Sequence, residues 1–397
     1  MNRILLPLVL VLALGAAIGY YLHIETGYVL VSYHSWIIES SVLGALAGAV
    51  LLLLALVWGA RLLVALVRLP GTLREFMSAR RQRRARESFG NGLQKWLEGR
   101  WSEAEVELLR RAADHETPGL NYLLAARAAQ QAGAPERSEQ YLDQATLQDD
   151  ATAFAARQLR AEMQIKRAEG WQALPVLREL QKQEPGHPQV ARLLCEALAA
   201  SGIWSELHSF LKTADSAKAL PAVTHQRFSR LALRELLVQA AGDARLDTLR
   251  SLWGTAPVPV RSSPEVRLAY VRGLGRLGAD AEAGALVETV MREEWDPALV
   301  DAHSDLDGLD AVSQLANVEH WLMQHGEKPE LLLAAGRVCI RNQLWGKARS
   351  YLNASLKLSP SPAVYLALAH LSDASRNPAD AAQFYREGLE LAAKSRS

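Results

Sequence analysis

The chain has 397 residues, of which 49% are hydrophobic and 22% are charged, and its formal net charge is +1 at pH 7. A chain of this length exceeds one ordinary compact domain, and its apolar content excludes a wholly disordered protein. Leu and Ala dominate, and no long segment alternates apolar with polar residues, so the sequence predicts an all-α protein. Cys195 and Cys339, the two cysteines, are far apart in helical runs and are predicted to be reduced core residues.

Two apolar segments stand near the N-terminus. Residues 4–22 carry no charge, and residues 37–57 carry only Glu39. A bilayer core of about 30 Å needs roughly 20 helical residues, so each segment is long enough to span a membrane. We therefore predict a transmembrane hairpin over residues 1–60. A signal peptide is the alternative for the first segment, although no small-x-small cleavage site precedes a polar mature sequence.

Arginine is distributed unevenly around these segments. Residues 23–36 contain no Lys or Arg and include Gly27–Tyr33, a piece that could be extended, whereas eight arginines lie between residues 61 and 86. Because positive residues stay on the cytoplasmic side, both ends of the chain are predicted to be cytoplasmic. We expect residues 61–87 to form an amphipathic linker at the bilayer surface, bent at Pro70-Gly71. Its membrane-surface anchors, which would contact anionic lipid in preference to nucleic acid, are Arg80, Arg81, Arg83, Arg84 and Arg86.

The chain from residue 88 to 397 contains a repeat of about 34 residues, the period of stacked helical hairpins. In each unit a Gly ends one helix, and a small residue followed four positions later by a large one packs the next helix. Successive examples are Gly99, Ala104 and Leu108, then Gly133, Ser138 and Leu142, then Gly278, Ala283 and Val287. The C-terminal units, with Gly336, Ala348, Leu352 and Pro360, resemble the tetratricopeptide family most closely.

The repeat predicts up to nine hairpins stacked as an α-solenoid, a right-handed superhelix with a concave face that binds other proteins. Residues 212–265 fit the period poorly and are expected to be helices with altered spacing. By the family's pattern the floor of the groove includes Arg127, Arg337 and Arg341. The alternative is that these three arginines are simply solvated.

Patterns that suggest an enzyme have stronger structural explanations. Gly273–Gly278 reads formally as G-x-G-x-x-G, but a helical run precedes it instead of the strand that a dinucleotide fingerprint requires. His303, His320 and His325 show no metal-ligand spacing, and the carboxylates are dispersed. We expect no catalytic activity and assign no catalytic, cofactor-binding or metal-binding residue.

The whole chain is similar to the HemY-type protohaem biogenesis proteins of Gram-negative bacteria. The resemblance is carried by the loop Gly27–Val31, the arginine run after the membrane segment, and Arg341–Arg349 in the penultimate repeat. It implies a protein of the bacterial inner membrane that takes part in late haem synthesis, where the array would recruit pathway enzymes.

Two other functions stay open at this point. A membrane-tethered tetratricopeptide adaptor that regulates envelope or lipopolysaccharide assembly has a similar architecture, although the cysteine-rich C-terminal metal module of that family has no counterpart here. The array could also bind haem or porphyrin directly, which an absorbance titration would test, but the sequence names no ligand residue.

Overall fold

The computed structural model describes residues 27–33 and 36–394, so the first predicted span, residues 4–22, lies outside the described residues. The chain divides into two compact units, Met1–Ala128 and Ala129–Ser397. The described residues are mostly helical, as predicted, with one small β-hairpin as the exception. The prediction of an all-α chain is therefore wrong for the two strands, Tyr28–Tyr33 and Trp36–Ser41, and correct for the helical array.

The described part of the first unit begins with the β-hairpin. Strand β1, Tyr28–Tyr33, pairs antiparallel with β2, Trp36–Ser41, so that Tyr28 lies opposite Ser41 and Val31 opposite Ile38. The extended piece expected at residues 27–33 is thus confirmed. Both strands are rich in β-branched and aromatic residues, which favour extended backbone. Because β2 occupies residues 36–41, the second apolar helix cannot begin at residue 37 as the hydropathy pattern suggested.

A single helix, α1, follows the hairpin and runs over Val42–Leu97. The side chain of Ser41 accepts a hydrogen bond from the backbone N–H of Gly44 at 3.2 Å and so caps the helix start. Gly44–Leu62 has a mean hydropathy of 2.1 and none of it is buried, so this segment is long and apolar enough to cross a membrane. At 1.5 Å per residue the whole helix is about 84 Å long.

The predicted linker, residues 61–87, is not a separate element, because α1 continues through Pro70 and Gly71 to Leu97. The bend expected at Pro70-Gly71 is absent at the level of secondary structure. A proline removes only one helical hydrogen bond, and long helical segments on both sides can compensate for that loss. The apolar segment and the arginine run therefore belong to the same helix.

The end of α1 forms the first helix pair with α2, Trp101–Leu109, and α3, Pro118–Gln131, follows. The hydroxyl of Ser88 donates to the carbonyl of Glu107 at 2.8 Å, and the buried Asn121 side chain donates to the carbonyl of Leu108 at 2.8 Å. These contacts join the end of α1 to α2, and α2 to α3.

The second unit continues with consecutive helices. They are α4 Pro135–Thr146, α5 Asp150–Lys166, α6 Gly170–Gln183, α7 Pro188–Ala200, α8 Trp204–Leu211, α9 Ala214–Ala219, α10 Ala222–Gly242, α11 Leu246–Thr255, α12 Val258–Arg261, α13 Pro264–Arg276, α14 Asp280–Glu293, α15 Pro297–Ser304, α16 Ala311–His325, α17 Pro329–Arg341, α18 Trp345–Leu358, α19 Pro362–Ala374 and α20 Pro378–Lys394.

Eight helix pairs in the described residues are each joined by the same kind of turn, called here the common turn. Its central residue has a left-handed φ between 57° and 78°, and the N–H of the next residue bonds to a carbonyl five residues back, as from Arg100 to Lys95 at 2.9 Å. This is the Schellman motif that ends many helices. The central residues are Gly99, Gly133, Ala168, Gly202, Ala244, Gly278, Gln343 and Arg376.

A small residue seven positions before the turn meets a large one nine positions after it. In the pair α17 and α18, a Cβ at Gly336 would lie 2.5 Å from Cδ2 of the fully buried Leu352. In the first pair, Gly92 approaches Leu108 in the same way. The small-to-large packing predicted for the repeat is therefore confirmed in both places, because the helices could not approach this closely around a larger side chain.

The irregular stretch at residues 212–265 is helical with altered spacing, as expected. Helix α10 extends over 21 residues, and the one-turn or two-turn helices α9 and α12 are inserted beside it. The helices that come first in their pairs pack against one another, and α15 packs among them. In order, this row of first helices is α10, α13, α15, α17 and α19. Helix α15 fills one place in this row, although the connection to α16 over residues 305–310 is longer than the common turn.

Candidate interaction surface

Among the clefts along the described row of first helices, two are lined by arginines. The cleft between α15, α17 and α19, called here the α15–α19 cleft, has a volume of about 430 Å³. Two of the predicted groove residues, Arg337 and Arg341, line it. The other lining residues are Ser304, Asp305, Asp307, Ile340, Ala363, Leu366, Ala367 and His370.

The side chain of Arg341 is bound on several sides. Its guanidinium donates to the carbonyl oxygens of Ser304 at 2.7 Å and Leu306 at 3.0 Å, and to the carboxylate of Asp307 at 2.6 Å. It also donates to Oε1 of Gln314 at 2.5 Å. Arg341 thus satisfies backbone acceptors at the C-terminal end of α15, where a helix leaves carbonyl groups unpaired and favours a positive charge.

Arg337 is engaged in a similar way. Its guanidinium lies 2.8 Å from Oδ1 of Asp301 and 3.3 Å from Oδ1 of Asp305. Burial raises the pKa of Asp305, and the nearby Arg337 counteracts that shift. The two arginines therefore line the cleft, and both also bond to α15 or to the connection 305–310.

The second cleft lies between α10 and α13, is called here the α10–α13 cleft, and has a volume of about 410 Å³. Arg234, Arg272 and Arg276 stand around an apolar floor. The remaining lining residues are Val238, Ala241, Glu265, Leu268, Ala269 and Gly273. Sequence reasoning missed this cleft because it falls where the 34-residue period is disturbed, although Arg272 and Arg276 already stood one helical turn apart in the sequence.

The third predicted groove residue, Arg127, is half-buried on α3 in the first unit. It therefore belongs to a different compact unit from Arg337 and Arg341, and the structure does not bring the three together as one site.

The predicted membrane-surface anchors are all exposed on α1. Arg83 pairs with Glu87 at 3.2 Å, and Arg86 pairs with Glu116. Since the apolar segment ends at Leu62, Arg80 lies about 27 Å further along the helix. The arginine run therefore lies on the same helix as the apolar segment but is separated from it along the helix axis.

The glycine pattern at Gly273–Gly278 has a structural role. Gly273 is buried in α13, where a Cβ would lie 3.0 Å from Cδ1 of Leu249, and Gly278 is the left-handed residue of the common turn. The helix ends at this pattern, whereas a dinucleotide fingerprint opens a helix after a strand. The prediction that Gly278 lies at the turn between two helices is confirmed.

The common turn, the small-to-large packing and the row of first helices define a helical repeat protein of the tetratricopeptide type. Residues 27–133 match the family described as HemY protein N-terminus. The chain is 28% identical to Protein HemY of Escherichia coli strain K12 over 395 residues, which cover 98% of each chain, and equally so to Protein HemY of Shigella flexneri. The resemblance to the HemY-type family is therefore confirmed along the length of the chain.

Solved structures show weaker likeness. A tetratricopeptide repeat protein from Parabacteroides merdae is 12% identical with a TM-score of 0.35, covering 64% of this chain and 99% of its own. Yeast Tom70 is 12% identical with a TM-score of 0.29, covering 77% of this chain and 68% of its own.

Proposed function

We propose that this protein is a non-catalytic scaffold at the bacterial inner membrane, which recruits enzymes of late haem synthesis through its helix pairs. The full-length likeness to Protein HemY carries the pathway assignment. The architecture supports the scaffold role, because an apolar helical segment and the first helix pair share one unbroken helix.

The proposed mechanism depends on local concentration. Partners held beside one membrane-bound array meet at a much higher effective concentration than free enzymes do. Porphyrin intermediates of the pathway are apolar, so a short transfer between neighbouring enzymes limits their release into water. In this proposal both ends of the chain and the whole array are cytoplasmic, and residues 4–22 form the first of two spans.

The polar chemistry of the α15–α19 cleft supports a role without catalysis. Its arginines pair with Asp301, Asp305 and Asp307. They do not take part in proton transfer, because a guanidinium stays protonated.

Co-purification from native cells tests the proposal. The full-length protein, solubilised in detergent, is compared with a chain truncated after Arg86, which keeps the apolar segment and the arginine run but lacks the helix pairs. We expect ferrochelatase or porphyrinogen-oxidising enzymes to co-purify only with the full-length protein. Recovery of lipopolysaccharide-assembly or cell-division proteins in their place would overturn the haem assignment and favour the envelope regulator. Equal recovery with the truncated chain would overturn the role of the array.

A further inference from the structure

The α10–α13 cleft differs from the α15–α19 cleft in how its charges are used. Arg276 is exposed and makes no ion pair with any residue that the structure describes. Arg272 is 58% exposed and lies 3.5 Å from Asp301, while Arg234 pairs with its own neighbour Glu235. Positive charge is thus open to solvent here, whereas Arg337 and Arg341 are held by several acceptors each.

The two helices that form this cleft are strongly basic. Helix α10 contains Arg227, Arg230 and Arg234 against the single acid Glu235, and α13 contains Arg267, Arg272 and Arg276 against the single acid Glu265. In addition, Nε of Arg230 is buried without an acceptor among the described residues. A concave surface with excess positive charge attracts carboxylates and disfavours basic ligands.

The floor of the cleft is apolar and accessible. Val238 is 50% exposed, and Leu268 and Ala269 lie half-buried between the arginines. Below them Gly273 lets the two helix pairs approach, because its missing Cβ leaves room for Leu249. An occupant therefore needs an apolar side chain next to acidic groups.

Helical spacing sets the arrangement of these groups. Arg230, Arg234 and Val238 follow one face of α10 at intervals of four residues, and Arg272 and Arg276 do the same on α13. Four residues of a helix rise about 6 Å, close to the distance of about 6.6 Å between alternate residues of an extended peptide. Alternate carboxylates of an extended segment can therefore face successive arginines.

We propose that the α10–α13 cleft is the docking site for an acidic segment of a partner protein, bound with one aliphatic side chain over Val238 and Leu268 and its carboxylates on Arg272 and Arg276. This rests on the proposed scaffold function and names the chemistry of its partner. A haem would find no axial ligand there, because the lining residues include no His, Cys, Met or Tyr.

The binding test uses the full-length protein in detergent and a fluorescein-labelled peptide, Leu-Ser-Asp-Ser-Asp, followed by fluorescence anisotropy. When this peptide is extended, its Leu and both Asp side chains lie on one face, matching Leu268, Arg272 and Arg276 in order. The control peptide is Leu-Ser-Asn-Ser-Asn, which has nearly the same shape without the side-chain charges. We expect the acidic peptide to bind at least about 10-fold more tightly, with an affinity that falls as salt increases.

Variants locate the site. The double variant R272A/R276A and the floor variant Val238→Asp are each expected to weaken peptide binding about 10-fold. The matched control is R250A/R349A, two exposed arginines on the second helices α11 and α18. Circular dichroism confirms that each variant is folded. Equal binding by R272A/R276A and the control overturns the docking site, as does displacement of the peptide from the wild-type protein by protoporphyrin but not by unlabelled peptide.

Co-purification and peptide binding distinguish the docking site from the proposed scaffold function. If pathway enzymes co-purify equally with the wild type and with R272A/R276A, the scaffold stands and this docking site is wrong. If no pathway enzyme co-purifies with the wild type but the acidic peptide binds as expected, the haem assignment is wrong and the docking site stands.

Discussion

At the residue scale, the left-handed turn positions show where the repeat tolerates strain. Four of the eight are glycines, but Ala168, Ala244, Gln343 and Arg376 carry side chains in the same conformation. A left-handed φ costs an ordinary residue about 1 kcal/mol or more, and glycine avoids this cost. The conformation of the turn is therefore determined by the packing of the helix pairs as well as by the backbone preference of the residue at its centre.

Replacing Ala244 by Gly is expected to raise the free energy of unfolding by about 1 kcal/mol, because the strain is relieved at φ 57°. The matched control is Ala285→Gly on the exposed face of α14, where glycine should lower stability by about 1 kcal/mol. Urea unfolding followed by circular dichroism measures both. Destabilisation of the same size in both variants would show that position 244 is not strained.

His303 gives the array a pH dependence. Its ring is fully buried beside Trp321, and neither ring nitrogen has a partner among the described residues. Burial, with a smaller effect from Arg341, lowers its pKa from 6.5 to about 4. As the pH falls, the unfolded chain therefore binds a proton at His303 before the folded chain does. The part of the folding stability that depends on a neutral His303 is fully present above pH 6.5 and is lost as the pH falls from 6.5 towards 4.

A His303→Leu variant should lose less stability over that interval than the wild type, by up to about 3 kcal/mol. Thermal unfolding midpoints at pH 7, 5.5 and 4.5 provide the comparison. Parallel losses in the two proteins would mean that His303 is not responsible for the pH dependence.

At the element scale, side chains from other helices hold the connection between α15 and α16, and Arg341 is central among them. Arg341 donates to two backbone carbonyls and two side-chain oxygens there, and Asn342 donates to the carbonyl of Ala311 at 2.7 Å. The other helix pairs need no such support, because the Schellman turn satisfies their helix ends.

Arg341→Ala is expected to lower the free energy of unfolding by about 3 kcal/mol, since it leaves several acceptors unpaired. Arg349→Ala, an exposed change on α18, should change stability by less than about 0.5 kcal/mol. Hydrogen exchange should show faster exchange in residues 305–310 of the Arg341 variant only. Unchanged exchange in that segment would contradict the capping role.

The sequence predicted these elements unevenly. The repeat positions around Gly99, Gly278 and Gly336 were predicted because small and large side chains must alternate where two helices meet. The turn at Ala168 and Ala244 was missed because alanine gives no sequence sign of a left-handed φ. Arg337 and Arg341 were found as cleft residues, but their ion pairs depend on Asp301, Asp305 and Asp307, which lie in another helix pair and were not connected with them by spacing alone.

At the scale of the whole molecule, α1 is the feature that the sequence described least well. Hydropathy separated residues 37–57 from a linker at 61–87, because composition changes sharply there. The backbone does not change with it, since helix propensity on both sides of Pro70 favours continuation.

Spin labels on paired cysteine variants measure whether α1 is straight in a membrane. Labels at Arg61→Cys and Arg80→Cys should lie about 28 Å apart along an unbroken helix, measured by pulsed electron resonance in lipid nanodiscs. The control pair, Arg80→Cys and Leu97→Cys, should lie about 26 Å apart with no proline between its members. Native Cys195 and Cys339 are buried, and burial raises their pKa values to about 12 and about 11, so they should not take the label. A short or broad distance across Pro70 alone would show a hinge.

A straight α1 also acts as a spacer of fixed length. From Leu62 to Ser88, where the first helix pair begins, the helix rises about 39 Å. An upright helix would thus hold this pair well above the lipid headgroups, within reach of enzymes that project from the bilayer and out of reach of segments that lie flat on it. The tilt of one helix would then decide which membrane neighbours the protein can touch.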